Sequence, residues 1–206
     1  MRGRLVVLEG GEACGKSTQA ALLAPRLGAV LTREPGGTVV GERIRSLLLD
    51  PALGAELDAR AEALLMAAAR AQHVAEVVAP ALASGRAVVS DRFIGSSLAY
   101  QGYGRGLPQS DLAALSAFAA EELGADVVVL LDLVPTVAAA RRGAVPDRLE
   151  AAGEAFHRRV EEGFAALAAA DPDHWVVVDA RGSIDEVADR VWDAVSTRLG
   201  LPVGGR

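Results

Sequence analysis

The sequence predicts an α/β protein in which a five-stranded parallel sheet is flanked by helices on both faces, giving a three-layer fold. Five short runs rich in valine and leucine alternate along the chain with longer segments of helical periodicity. This alternation is typical of parallel sheets, because each return to a parallel strand needs a crossover helix. The chain has 206 residues, of which 51% are hydrophobic, so it can bury a core without disulfides.

The predicted strands are short apolar runs bounded by polar or glycine residues. They cover Arg4–Glu9, Ala29–Thr32, Arg86–Ser90, Asp126–Leu131 and His174–Val178. The fourth run, DVVVLL, is the clearest, since a continuous apolar run is typical of a strand buried on both faces.

Helical periodicity predicts that the segments between and after these strands are α-helices. They are Lys16–Leu27, Val40–Leu49, Glu56–Leu82, Asp111–Leu123, Pro135–Arg142, Ala151–Ala170 and Ile184–Leu199. No repeat or shift in composition marks a domain boundary, so we expect one domain over residues 1–200 and a disordered tail over 201–206. A polar, proline-containing stretch between two helices, at about 141–150, is a candidate mobile lid.

Composition and charge exclude several classes of protein. The formal net charge is −6, whereas a general binder of nucleic acid or of acidic membranes needs a basic surface. The single cysteine excludes an internal disulfide framework and a multi-cysteine zinc site. No apolar run approaches the roughly 18 residues of a membrane helix, and the N-terminal run is too short for a signal peptide. We therefore expect a soluble, cytoplasmic protein with no nucleic-acid or membrane partner.

The segment Gly10–Ser17, GGEACGKS, matches the phosphate-loop pattern G-x-x-x-x-G-K-S without a mismatch. It follows a predicted strand and opens a predicted helix, as the motif requires. Gly10 and Gly15 let the backbone approach a phosphate, so that successive N–H groups can point at the anion. Lys16 can then reach the outer phosphates, and the Ser17 hydroxyl can ligate Mg²⁺.

Lys16 is the only lysine among 21 basic residues, which suggests a position where arginine will not serve. An ammonium is a compact point charge, whereas a guanidinium is a wide planar fork. The alternative is chance survival on the surface, but the flanking phosphate-loop residues favour the functional interpretation.

Asp91 directly follows the third predicted strand, which we expect beside the first. The carboxyl ends of parallel strands border the ligand crevice of an α/β sheet, so a carboxylate there can hold the water shell of a metal ion. The adjacent Arg92 suits bidentate recognition of phosphate. The alternative for Asp91 is an ordinary aspartate in a surface turn.

Three further motifs follow the phosphate loop in order: REPGG at Arg33–Gly37, DR at Asp91–Arg92 with SSLAYQG at Ser96–Gly102, and DRLE at Asp147–Glu150. Together they resemble the bacterial thymidylate kinases, a family of P-loop nucleoside monophosphate kinases. The similarity runs from about Arg4 to Glu162. It implies a P-loop NTPase-type fold, a homodimer, and phosphorylation of dTMP to dTDP by MgATP, for dTTP synthesis.

The resemblance also implies roles for the residues of the phosphate loop. The ATP-binding set is Gly10, Gly11, Glu12, Ala13, Cys14, Gly15, Lys16 and Ser17, and the metal-binding set is Ser17 and Asp91. Glu12 stands where the family has a carboxylate near the sugar 3′-hydroxyl and the metal.

The residues implied to bind dTMP are spread along the chain. They are Glu34, Arg45, Met66, Arg70, Arg92, Ser97, Tyr100 and Gln101. In the family, the positions of Arg45 and Arg92 hold the acceptor phosphate, those of Arg70, Ser97 and Gln101 contact thymine, and that of Tyr100 lies beneath the deoxyribose. Met66 stands where the family usually has a phenylalanine that stacks on the base.

The catalytic set implied by the resemblance is Lys16, Glu12, Arg92, Arg141 and Arg142. Some relatives carry a catalytic arginine inside the phosphate loop, where this chain has Ala13. The basic residues of the lid, Arg141 and Arg142 with Arg148 as the next candidate, are therefore expected to act in transfer. Taken singly, each could instead be a solvated surface arginine, because charged loop residues are mostly exposed.

Three alternatives stay open from the sequence. The chain could act on another nucleoside monophosphate, or it could be a nucleotide-binding regulatory module without transfer activity. Cys14 could be a reactive thiol in the loop or a small buried spacer. Ala13 stands where the family often has glycine, which matters only if the backbone there needs a positive φ.

Overall fold

The structure is a computed structural model that describes residues 2–54, 56–133 and 147–201. It contains one five-stranded sheet, with strands β1 Leu5–Glu9, β2 Val30–Arg33, β3 Val88–Asp91, β4 Val127–Asp132 and β5 Trp175–Asp179. The strand order is β2-β3-β1-β4-β5, and every neighbouring pair is parallel. The predicted class is confirmed, and each predicted strand is present with its ends shifted by a few residues.

The helices cover both faces of this sheet. They are α1 Lys16–Leu27, α2 Val39–Leu49, α3 Ala59–His73, α4 Ala79–Ala83, α5 Ile94–Ser97, α6 Gln109–Ala119, α7 Glu154–Ala170 and α8 Ile184–Leu199. A π-helical turn over Val74–Val78 joins α3 to α4, and a second π-helical segment, Leu98–Gly104, extends α5. None of the helices in the described ranges is long and apolar enough to cross a membrane.

Alternation along the central strand divides the core between the two faces of the sheet. Val6 and Leu8 pack in one cluster with α1 and α8, whereas Leu5 and Val7 pack in the other with the segment that joins α3 to α4. All four side chains are at most 1% exposed. Successive strand residues point to opposite faces, so this one buried run supports both layers of helices.

The clearest departure from the sequence analysis is the helical segment Ile94–Gly104, which periodicity does not predict. Its glycines lower helix propensity, yet they allow close packing. A Cβ atom on Gly95 would lie 2.8 Å from the Trp175 ring, and one on Gly104 would lie 2.6 Å from the Phe156 ring. Tertiary contact therefore outweighs local preference in this segment.

Other differences concern the ends of helices. The predicted helix Asp111–Leu123 ends at Ala119 instead, since Glu121 and Glu122 adopt positive φ angles. The last long helix before β5 begins at Glu154, after Gly153 at a φ of 91°. The predicted helix Pro135–Arg142, most of the predicted lid and the tail beyond residue 201 lie outside the described residues.

Candidate active site

The phosphate loop joins the central strand β1 to α1. Its glycines allow a close backbone contact at Gly10 and an uncapped start of α1 at Gly15. Gly10 has a φ of 141°, and a Cβ atom there would lie 2.7 Å from the carbonyl oxygen of Leu131. Gly15, with a φ of 97°, is the residue just before α1, and no side chain at this position caps the first N–H groups of the helix. The first N–H groups of α1 therefore remain available to an anion, as in other phosphate-binding helix termini.

Lys16 is held beneath this loop and is only 6% exposed. Its Nζ donates to the carbonyl oxygen of Gly11 at 2.6 Å and to Cys14 Sγ at 3.5 Å. A flexible stem that ends in a compact ammonium fits this space, whereas a planar guanidinium is wider.

Ser17 and Asp91 meet at the carboxyl ends of β1 and β3. Leu8 is in register with Asp91, and the Ser17 hydroxyl donates to Asp91 Oδ2. Asp91 Oδ1 is buried and has no hydrogen-bond partner among the described residues. Hydroxyl and carboxylate oxygens are ligands that Mg²⁺ accepts, so these two residues fit the metal.

Residues 2–54, 56–133 and 147–201 contain no group of three or more His, Cys, Asp or Glu side chains that could hold a metal. In phosphate chemistry, Mg²⁺ is usually held by one or two protein groups together with water and substrate phosphates.

Ala13 and Cys14 are the two residues between Glu12 and Gly15 in the phosphate loop. Ala13 has a φ of 56°, so a residue with a Cβ occupies a left-handed conformation that favours glycine. Cys14 is 3% exposed and packs in the core cluster beside α1, with its sulfur 2.9 Å from where a Cβ on Gly10 would lie. The burial of the thiol supports the small-spacer interpretation.

Glu12, Arg92 and Tyr100 form a cluster between the phosphate loop and the segment after β3. Arg92 Nη2 donates to Glu12 Oε1 at 2.9 Å and to the Tyr100 hydroxyl at 3.0 Å, and that hydroxyl donates to Glu12 Oε1. Burial disfavours the Glu12 carboxylate, but the charges of Arg92 and Lys16 outweigh it and hold the pKa of Glu12 at about 2. Glu12 is therefore ionised at neutral pH.

Arg45 on α2 adds a further positive charge near this cluster. Its Nη1 donates to the carbonyl oxygen of Pro35 at 2.9 Å. Burial and the charge of nearby Arg33 lower the pKa of Arg45 from its ordinary value. Mutually repelling guanidinium groups at one point of a cleft favour the binding of a multiply charged anion.

Arg70 is buried on α3 and oriented by four hydrogen bonds. It donates through Nε to Glu34 Oε2 at 2.9 Å, through Nη1 to Ser116 at 3.2 Å, and through Nη2 to Phe93 O at 3.0 Å and Ser97 Oγ at 2.9 Å. A guanidinium has five N–H donors, so one N–H of Nη1 has no partner among the described residues.

His73 is fully buried one turn beyond Arg70, with Nδ1 2.9 Å from Glu34 Oε1 and Nε2 2.6 Å from Thr32 Oγ1. His73 therefore supports Glu34 through these contacts. Both oxygens of the Glu34 carboxylate are thereby occupied, which fixes the turn that begins at Arg33.

Two neighbouring cavities at this end of the sheet share part of their walls. The larger, of about 630 Å³, is lined by the phosphate loop residues from Glu12 onward and by Asp91. The narrower one is lined by all eight residues predicted to bind dTMP: Glu34, Arg45, Met66, Arg70, Arg92, Ser97, Tyr100 and Gln101. Five residues line both cavities: Glu12, Glu34, Arg45, Arg92 and Asp147.

Met66 is half-buried and lines the narrower cavity, while it also packs against the aromatic cluster of Tyr100 and Phe156. The resemblance implies that a residue at this position contacts thymine.

The lid arginines divide between residues that the structure describes and residues that it does not. Arg141 and Arg142 lie outside the described residues. Arg148 is buried, with Nη2 2.7 Å from Glu62 Oε2 and Nε donating to Leu48 O at 2.7 Å. Arg148 is thus bound to α2 and α3 and lines neither cavity, which argues against a direct part in transfer.

Sequence reasoning missed the start of α8 as part of the larger cavity, which Gly182, Ser183 and Ile184 help to line. Ser183 caps α8 in a capping box with Glu186, and the S-x-x-E pattern was a readable signal for that helix start. It carried no signal for the cavity, since the contact with the phosphate loop depends on the packing of α8 beside α1.

Three comparisons place the chain among known proteins. The family model described as thymidylate kinase matches residues 8–191. A thymidylate kinase of Synechococcus sp. (strain JA-2-3B'a(2-13)) is 50% identical over 206 residues, covering 98% of each chain. One of Deinococcus radiodurans is 48% identical over 205 residues, covering 96% of this chain and 98% of the relative.

The fold comparison agrees. The crystal structure of thymidylate kinase from Ehrlichia chaffeensis superposes with a TM-score of 0.78 at 29% identity, covering 95% of this chain and 100% of that one.

Proposed function

The chain belongs to the thymidylate kinase family, and on that premise we propose how its residues divide the work of phosphorylating dTMP to dTDP with MgATP, in the synthesis of dTTP. The observation that carries the proposal is the shared wall between the two cavities. The phosphate-loop cleft and the pocket predicted for dTMP meet at Glu12, Arg45 and Arg92. A donor phosphate and an acceptor phosphate bound in these cavities would therefore meet among those side chains.

On the donor side, the uncapped N-terminus of α1 and the loop backbone bind the ATP phosphates, and Lys16 neutralises the outer ones. Ser17 and Asp91 would hold Mg²⁺, which when bound draws charge from the phosphate oxygens. The protein takes little covalent part in phosphoryl transfer, so positioning and charge stabilisation supply most of the rate.

On the acceptor side, Arg45 and Arg92 bind the phosphate of dTMP. The acceptor is itself an anion, and the cations offset its repulsion from the donor phosphates. Glu12 fixes the plane of the Arg92 guanidinium through the 2.9 Å contact, and its own charge is constant near neutral pH because its pKa is about 2. Glu12 therefore acts by position and charge, and not as a proton carrier in this pH range.

The base is read by Arg70, Gln101 and Ser97, against Met66 and Tyr100. The unpartnered N–H of Arg70 offers a donor to thymine O4. Gln101 Oε1 is buried without a partner among the described residues and offers an acceptor to thymine N3–H. By the resemblance, the Tyr100 ring lies beneath the deoxyribose, which disfavours a 2′-hydroxyl and so favours a deoxyribonucleotide. Arg141 and Arg142 remain the proposed transfer residues.

The test is a coupled assay for ADP formation with dTMP, dUMP, CMP and AMP as acceptors. We expect ADP release with dTMP and none above background with AMP. Equal activity with AMP or CMP would favour a kinase for another nucleoside monophosphate. Nucleotide binding without ADP release for any acceptor would favour the regulatory module.

We also propose the homodimer and the cytoplasmic location that the resemblance implies. Large apolar side chains are exposed on helices that pack side by side: Val39 on α2 is 74% exposed, Leu64 on α3 is 59% and Phe118 on α6 is 83%. An exposed apolar surface of this kind is typical of an interface. Light scattering should show twice the chain mass, and the double variant Leu64→Glu/Phe118→Glu should show the single mass.

A further inference from the structure

Glu62, in the first turn of α3, is a fully buried carboxylate that the proposed reaction does not use. It binds three side chains. Gln101 Nε2 donates to its Oε1 at 2.8 Å, Arg105 donates to both of its oxygens, and Arg148 Nη2 lies 2.7 Å from Oε2. Burial opposes its ionisation, but these partners lower the pKa of Glu62 below the ordinary value, so it is a carboxylate at neutral pH.

The contact with Gln101 determines which end of that amide can face a ligand. An ionised carboxylate only accepts hydrogen bonds, so it selects the amide nitrogen of Gln101 and excludes the amide oxygen. Gln101 lines the narrower cavity, and its Oε1 is buried with no partner in the described part of the chain. The atom left to bind a base is therefore an acceptor.

We propose that Glu62 is a specificity-determining positioning residue: it locks the Gln101 amide so that Oε1 meets the N3–H group of thymine and rejects cytosine. The inference rests on the proposed function, because it assumes that a pyrimidine base is read by Arg70 and Gln101.

The donor and acceptor pattern explains the rejection. Thymine presents an acceptor at position 4 and a donor at N3, which complement the free N–H of Arg70 and the oxygen of Gln101. Cytosine presents an amino group at position 4 and an acceptor at N3. A donor would then face a donor at Arg70, and an acceptor would face an acceptor at Gln101. Buried polar groups without partners are costly, so a fixed amide discriminates more strongly than one that can rotate.

Arg105 and Arg148 hold Glu62 in its ionised form and in one orientation. Arg105 lies over the Phe156 ring at 4.6 Å, and Arg148 is tied to Leu48 O. The carboxylate therefore cannot turn away to follow a rotated Gln101, and the orientation of the amide is set before any ligand binds.

The experiment measures the ratio of kcat/KM for dTMP to that for dCMP, with the ATP KM and the melting temperature, in the wild type and in Glu62→Gln. A glutamine at position 62 can donate as well as accept, so Gln101 is free to rotate. We expect the ratio to fall at least about tenfold, through the acceptor KM, with the ATP KM unchanged. An unchanged ratio in the folded variant would overturn the inference.

Two further variants separate positioning from general destabilisation. In the Gln101→Ala background, Glu62→Gln should change the ratio no further, because Glu62 acts through Gln101; a second, additive loss would overturn the inference. Asp126→Asn is the matched control. Asp126 is paired with Arg4 at 2.7 Å just before β4 and β1, at the end of the sheet opposite the pocket, so its loss should lower the melting temperature without changing the ratio.

If Glu62→Gln does not fold, Glu62→Asp retains the charge for the arginines and shortens the reach toward Gln101. The ratio should then fall with the fold intact, and an unchanged ratio would count against the inference. A wild type that shows no preference for dTMP over dCMP would instead overturn the proposed function. The two failures are thus distinguishable.

Discussion

The phosphate loop and the pocket proposed for dTMP share one wall but are built in opposite ways. The loop is one continuous run, Gly10–Ser17. The groups that it offers to a ligand are backbone N–H groups, one lysine side chain and one serine hydroxyl. The pocket is lined by side chains from several elements, and buried carboxylates hold them: Glu34 orients Arg70, and Glu62 orients Gln101. The contrast teaches that a site made from backbone is a property of a short segment, whereas a site made from side chains depends on the whole fold.

Lys16→Arg tests the loop most directly. The ammonium lies 2.6 Å from Gly11 O, and a wide, planar guanidinium cannot present the same compact charge at that point. We expect kcat/KM to fall at least about 100-fold, while the melting temperature changes little. The matched control is the reverse exchange, Arg43→Lys, at an exposed position on α2. Near-normal turnover in a folded Lys16→Arg enzyme would contradict the role of the lysine.

Replacing Arg141 and Arg142 together by alanine tests whether the lid, and not the pocket, supplies the transfer arginine. We expect kcat to fall by about 10³-fold, far more than the dTMP KM rises, because such groups act mainly in the transition state. Arg148→Met should instead lower the melting temperature with a small effect on kcat, since Arg148 is buried against Glu62. A change in the dTMP KM alone would show that the lid hypothesis is wrong.

Glu12→Gln tests the shared wall. The pKa of Glu12 is about 2 in the folded protein, below its ordinary value, so its ionisation stabilises the fold above pH ~4.5 and that contribution is lost as the pH falls toward about 2. We expect kcat/KM about 10- to 100-fold lower at every pH from about 6 to 9, without a shift in the pH profile.

The same variant should lose less stability than the wild type between pH ~4.5 and about 2, measured by urea unfolding at each pH. An acidic limb near pH 6 in the wild type that disappears in Glu12→Gln would mean that Glu12 titrates during the reaction.

Met66→Phe tests how the side chain at position 66 contributes to dTMP affinity in the narrower cavity. A methionine gives a sulfur contact of about 0.3–1.5 kcal/mol to a ring, and an aromatic pair gives about 0.5–1.5 kcal/mol, so the ranges overlap. Phenylalanine is more rigid, so we expect dTMP to bind more tightly by less than about tenfold, with the ATP KM unchanged. A lower melting temperature with unchanged dTMP affinity would indicate overpacking of the α3 core instead.

Ala13→Gly tests whether the positive φ in the phosphate loop costs stability, and it should have the smallest effect of these substitutions. Ala13 has a φ of 56°, which costs an L residue about 1–2 kcal/mol, and the added freedom of glycine in the unfolded chain offsets part of the gain. We expect the free energy of unfolding to rise by about 1 kcal/mol at most. Ala21→Gly, at an exposed position inside α1, should lower it by about 0.5–1 kcal/mol.

Opposite signs for these two glycine substitutions would confirm that the effect comes from the backbone conformation at position 13. A loss of stability in both variants would show that the left-handed conformation at Ala13 carries no strain.

Much of the fold was predictable because its signals are short in range. The run Leu5–Glu9 alternates between two buried faces, and the phosphate loop follows it directly, so strand, loop and helix α1 all lie within one stretch of sequence. The segment Ile94–Gly104 was not predictable from periodicity. Its glycines oppose a helix locally, whereas the packing of Trp175 and Phe156 against it favours one.

The pocket proposed for dTMP shows what sequence motifs can predict about a site and what they cannot. Its residues could be named from motifs, since each motif is local, and all eight line one cavity. Their supports could not be named. Nothing near Glu62 in the sequence indicates that it meets Gln101, thirty-nine positions away, and nothing near His73 indicates its contact with Glu34.

The sequence by itself determined the class of fold, the phosphate loop with its single lysine, and the family. Each depends on the order of residues within a few turns or one strand, where the backbone geometry is set by neighbours. The tertiary structure alone decided that Arg148 is buried, that Ala13 takes a positive φ, and that a carboxylate fixes the orientation of Gln101. Those outcomes depend on side chains brought together across the sheet, because buried polar and charged groups must find partners wherever the fold places them.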